Sequence, residues 1–166
     1  MATKQDFTAD EWAKIRDSVM AASLAVTAAD PSGFLGTIKE AIAGGSAMLA
    51  AKSDAGAGEL IKAVVADFES ADALKEMRQS VKERFRGAKA SEISSRSVDA
   101  LAEVGRLLDA KAPEDAAEFK AWLRGISQKV AEASSEGGFL GFGGVKVSDA
   151  EKATIDEVDK ALRLSA

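Results

Sequence analysis

The sequence predicts an all-α fold, a single compact bundle of six to seven helices spanning residues 1–166. Three observations carry this. Apolar side chains recur at three- and four-residue intervals along most of the chain, the spacing that lines one face of a helix. Thr8-Ala9-Asp10-Glu11 and Ser148-Asp149-Ala150-Glu151 have capping-box form, in which the hydroxyl and the Glu carboxylate each satisfy a free backbone amide. No segment sustains the alternation of a half-buried strand, and 34 alanines favour helices and let them approach closely.

The elements follow in order. After the first capping box, Trp12, Ile15, Val19, Ala22 and Val26 fall on one stripe, while Met20 and Leu24 occupy a second face. That predicts a helix buried on two sides, ended by Asp30-Pro31-Ser32-Gly33 because Pro disfavours helical geometry in the residue before it. Leu35, Ile38, Ile42 and Leu49 align on a second helix that carries Gly44-Gly45 in its middle, and Ser53 to Gly58 is a loop. Leu60, Ile61, Val64, Val65 and Phe68 mark a third. The phase changes near Ser70-Ala71-Asp72, and Leu74, Met77, Val81 and Phe85 form a separate stripe, so this stretch is two helices or one with a kink. Arg86-Gly87-Ala88-Lys89 closes it with basic residues and a glycine. Ile93, Leu101, Val104 and Leu108 define the next helix. Pro113-Glu114-Asp115 opens another, with Phe119, Trp122, Leu123, Ile126 and Val130 as its stripe. Residues 137 to 147 are a Gly-rich break before the second capping box, which leads into Ile155, Val158 and Leu162.

Composition narrows the chemistry. With 166 residues the chain holds one domain, and 46% apolar with 30% charged residues suits a folded one. There is no Cys and no His, which excludes disulfides, thiolate nucleophiles, imidazole bases and Cys- or His-ligated zinc. The formal net charge of −5 argues against a nucleic-acid partner. The first residues lack the basic-then-apolar design of a signal peptide, and no apolar run approaches the roughly 20 residues a bilayer-spanning helix needs. A cytoplasmic location and no transmembrane segment are therefore expected.

Two surface features invite function. Gly137-Gly138-Phe139-Leu140-Gly141-Phe142-Gly143-Gly144-Val145-Lys146 fails as a phosphate loop, since Val145 separates glycine from lysine and no strand precedes it. Phe139, Leu140 and Phe142 either tuck into the bundle or form an apolar finger for a partner. Lys75, Arg78, Lys82, Arg86 and Lys89 fall within about 80° of one another on a helical wheel. Residues 75 to 89 hold six basic and two acidic side chains, a surplus of four positive charges. Such a stripe is either a solvated edge or a docking face for an acidic protein, a phosphorylated ligand or a membrane surface.

A third feature lies near the C-terminus. Val130-Ala131-Glu132-Ala133-Ser134-Ser135-Glu136-Gly137 closes a helix with an acid and a glycine. The insert 138–144, then Val145-Lys146-Val147-Ser148-Asp149-Ala150-Glu151 and the last helix follow. This succession resembles the TerB-like tellurite-resistance family over residues 130–164. Gly-Phe-Leu-Gly also occurs at both 33–36 and 138–141, each time after an Ala-rich helix, a hint of duplication. The resemblance implies an all-helical domain of bacterial stress physiology that acts by binding, with divalent metal at acidic turns. Glu136 stands where the family has Asp, Glu151 matches its downstream Glu, and Asp30 matches the acid of the first half. Glu151 points inward on the wheel, which the capping box with Ser148 explains. The alternative is that Glu151 joins Glu136 and Asp149 around a hard cation, and oxygen ligands of this kind suit Ca2+, Mg2+ or Mn2+.

The expectation is a non-catalytic binding protein of bacterial stress response with a protein partner, peripheral membrane contact ranking behind it. A divalent-metal sensor or buffer using Asp30, Glu136, Asp149 and Glu151 is the alternative. An enzyme using carboxylates or a Ser–Lys pair comes last.

Overall fold

The computed structural model describes residues 1–29, 56–135 and 147–164. A 3-10 turn at Lys4–Asp6 leads into helix α1 (Ala9–Thr27). The expected capping box starts it: the Glu11 amide donates to Thr8 Oγ1 at 3.3 Å, and the Thr8 amide donates to Glu11 Oε2 at 2.8 Å. Helices α2 (Glu59–Asp67), α3 (Ala71–Arg84), α4 (Ala90–Lys111), α5 (Pro113–Ser135) and α6 (Asp149–Leu162) follow. Among the described residues these are the six α-helices, and there is no strand. The helix expected around Leu35 to Leu49 lies outside the described residues.

The phase change near Ser70 is a true helix break. α2 ends at Asp67, and Ser70 caps α3 by accepting from the Ala73 amide at 3.3 Å.

α1 is the axis of the bundle. It packs most extensively on α4 and α5 and also touches α2, α3 and α6. Trp12, Ile15, Val19, Ala22 and Val26 are all buried, as their spacing requires. The helix is buried on more than one side, but Met20 and Leu24 are only half-buried. The further buried positions are Arg16, Asp17, Ser18, Ala21 and Ala25. Alanine there brings neighbouring backbones close, so that Ser94 and Ser127 donate from α4 and α5 to the α1 carbonyls of Ala25 and Ala22, each at 2.8 Å.

Ile15, Val19, Leu60, Val64, Leu101, Leu108, Phe119, Leu123, Ile126 and Leu162 belong to the main core. A smaller cluster of Val26, Val130, Ala131 and Ile155 sits beside it. Gly105 sets the approach of α4 to α6. A Cβ there would lie 3.3 Å from the Ala161 carbonyl oxygen and 3.5 Å from Leu162 Cα, so any side chain would push α6 outward. Two charged links reinforce the same corner: buried Lys120 pairs with Asp109, and Arg124 pairs with Asp159 at 3.2 Å.

Candidate functional site

The residues singled out for chemistry or binding divide into three groups. Asp30, Glu136, Phe139, Leu140 and Phe142 lie outside the described residues. Asp149 and Glu151 open α6. The five cations lie on α3 and in the turn that follows it.

At the start of α6 the side chains do helix-end work. Glu151 is buried, and its Oε2 accepts from the Ser148 amide at 2.8 Å while its own amide donates to Ser148 Oγ at 3.2 Å. The inward position of Glu151 is thus accounted for by the capping box. Asp149 is exposed and pairs with Lys152 at 3.2 Å. Among the described residues no three acidic side chains come together in a way that could hold a metal ion.

The basic residues form the more distinctive surface. Asp72 in the first turn of α3 and Lys82 and Arg84 in its last suit the helix dipole. The helix stops at Arg84, earlier than a wheel drawn through Lys89 supposes. Gly87, at φ +70°, makes the left-handed turn that a side chain would strain, and Lys89 becomes the residue preceding α4, its amide donating to Glu92 Oε2 at 2.7 Å. Arg96 of α4 reaches back to the Arg84 carbonyl at 2.9 Å and ties the corner shut.

Lys75, Arg78 and Lys82 therefore share one helical edge, and Arg86 and Lys89 extend it around the corner. All five are exposed, and among the described residues none of them forms an ion pair. Two nearby carboxylates are engaged elsewhere. Glu76 accepts from Arg16 Nη1 of α1 at 3.2 Å, and Glu83 accepts from Gln79 at 2.5 Å. Asp72, Glu76 and Glu83 line one cleft with Lys75, so acids stand beside the edge, yet residues 75–89 keep a surplus of four positive charges.

Sequence reasoning missed the polar layer beneath α3. Arg16 is 4% exposed and Asp17 8%, and Arg16 Nη2 lies 3.1 Å from Asp17 Oδ1. No hydropathy pattern marks them; Arg16 meets Glu76 of α3, and Asp17 lies where α1 faces α3 and α4. Between α1, α3 and α4 is a cavity of about 10 Å³, room for a single water. Lys14 and Ser18 line it together, yet Lys14 Nζ is held by Glu103 at 2.7 Å and Ser18 Oγ donates to the Ile15 carbonyl at 2.6 Å. The Lys14 ammonium holds the Glu103 carboxyl below its usual range.

A more open cleft of about 360 Å³ lies where α1 begins, lined by Phe7, Trp12, Arg16, Asp67, Asp72 and Glu76 among others. Lys4 fills part of it, 3.0 Å from Asp67 Oδ1 and 5.4 Å from the centre of the Trp12 ring, and Trp12 Nε1 donates to Asp67 at 2.6 Å.

No described helix is long and apolar enough to cross a membrane. Compared with protein-family models, with curated proteins and with solved structures, the chain matches none.

Proposed function

We propose that this protein is a non-catalytic helical docking module that meets an anionic partner through the basic edge of α3 and the corner leading into α4. One observation carries the reading: five exposed cations have no ion-pair partner among the described residues, on a chain whose net charge is −5. A local surplus of one sign attracts and orients partners of the opposite sign. The TerB-like succession at residues 130–164 supports placing such a module in bacterial stress physiology. The Phe139-Leu140-Phe142 segment supplies a candidate second contact, apolar in kind and suited to a protein partner.

The test is affinity capture with the full chain, comparing the unaltered protein with a Lys75→Gln/Arg78→Gln/Lys82→Gln variant and with a 137–144 deletion. Loss of a captured partner in the triple variant, with an unchanged melting temperature, is the expected result. Identical capture by the unaltered protein and the triple variant would refute the edge as the contact.

A further inference from the structure

We propose that the anionic partner of this edge is the surface of a phospholipid bilayer, an inference that rests on the docking reading above. The geometry favours a smooth, extended anion. Lys75 and Lys82 are seven residues apart, about 10 Å along α3, with Arg78 between them, and Arg86 and Lys89 follow in the turn beyond the helix end. The five charges do not converge on a pocket that could grip one phosphate or one carboxylate. A headgroup layer asks only that the cations lie at a common surface.

The kind of side chain points the same way. Hot spots between proteins are built on large apolar or aromatic anchors, with lysine under-represented. Among the described residues the only large hydrophobic side chain that is exposed is Met1, and three of the five cations are lysines. The apolar residues beside the edge, Leu74, Val81 and Phe85, are half-buried. Val81 and Phe85 line the small cavity against α1 and α4, so the edge meets its partner through charge.

The acidity of the rest of the chain does not cancel the attraction. Residues outside 75–89 carry a net −9, but screening length at physiological salt is about 8 Å and a helix with its side chains is about 10 Å across. An acidic group one helix away from the edge is largely screened from a surface that the edge touches.

The experiment is flotation of the full chain with vesicles of equimolar phosphatidylcholine and phosphatidylglycerol, against vesicles of phosphatidylcholine alone, at low and at high salt. Binding is expected only with the anionic vesicles and is expected to fall as salt rises. Each neutralised cation is expected to lower the partition coefficient about fivefold, so the Lys75→Gln/Arg78→Gln/Lys82→Gln variant falls by about 100-fold. Lys75→Arg/Lys82→Arg keeps the charge and is expected to keep the binding. Duplex DNA and poly-glutamate serve as the competing polyanions. Equal binding to both vesicle types, or no binding to either, overturns the bilayer as partner, as does tighter binding to one of those polymers. If vesicle binding fails while the triple variant still loses a captured partner, the docking reading survives without the bilayer; if capture is also unchanged, both fall.

Discussion

Helices α1 and α3 lie side by side and share the Arg16–Glu76 ion pair, yet they answer to different rules. In α1, ten of 19 residues are buried; in α3, one of 14, Met77, is buried. The sequence of each shows an apolar stripe of similar regularity. A stripe says which face a helix turns inward, but how deeply it sinks depends on what closes over its other faces. α1 is enclosed because its alanines admit α4 and α5 closely. α3 rests on a mixed bed, the Arg16–Asp17 pair and the Lys14–Glu103 link beside Ala21, Ala100 and Val104, and apart from Met77 its stripe stays half-covered. A helix held this way is suited to present charge outward.

The contrast can be broken at its strongest point first. Ile15→Ala empties a fully buried site in α1, and the expected loss is about 3 kcal/mol of global stability, read by chemical denaturation. A loss no larger than that of a surface substitution would mean that α1 is not the axis of the fold.

Arg16→Ala leaves the Asp17 carboxylate buried without its guanidinium, and about 3 kcal/mol of destabilisation is expected. Replacing both residues by Met and Leu should recover most of that loss, because the penalty comes from an uncompensated charge. Failure of the double replacement to recover stability would show that the pair is held for a reason other than mutual compensation.

Met77→Ala tests the other helix. Its expected cost is about 2 kcal/mol, confined to α3. Hydrogen exchange should show amides 71–84 losing protection while those of α1 and α5 keep theirs. A uniform loss across the bundle would place α3 in the same cooperative unit as α1.

The smallest effect concerns acid. The folded carboxyl of Glu103 lies below its ordinary value because Lys14 donates a hydrogen bond to it. A group depressed in this way stabilises the fold fully above its unfolded value of about 4.5 and loses that contribution as pH falls through the folded value. The melting temperature of the unaltered protein should therefore drop more steeply below pH 4.5 than that of Glu103→Gln. Parallel curves would show that the Lys14–Glu103 link contributes nothing.

Much of this architecture was legible in advance, for a physical reason. Phe119, Leu123, Ile126 and Val130 on α5, and Ile155, Val158 and Leu162 on α6, are buried where helical spacing places them. Burial of apolar area dominates the folding energy, and its period is written directly into the chain. Both capping boxes are local, four residues from end to end, and both are present. The binding edge was legible in part. The cations were apparent, but a wheel extended through Lys89 supposed helix where Gly87 makes a turn, so their path bends at the corner. Buried Arg16, Asp17 and Lys120 were not legible at all, since hydropathy assigns such residues to the surface.

Sequence alone determined that the described residues are helical, where α1, α5 and α6 begin, which apolar stripes turn inward, and that no thiol or imidazole chemistry is available. Those properties are local or compositional, set by spacing and side-chain type. Only the tertiary structure decided that α1 is enclosed while α3 rides on the outside. It also decided that Glu76 turns to Arg16, 60 residues away in the chain, while Lys75, Arg78 and Lys82 form no ion pair among the described residues. Pairing of that kind depends on which helices meet in space, and no periodicity within a single helix records it.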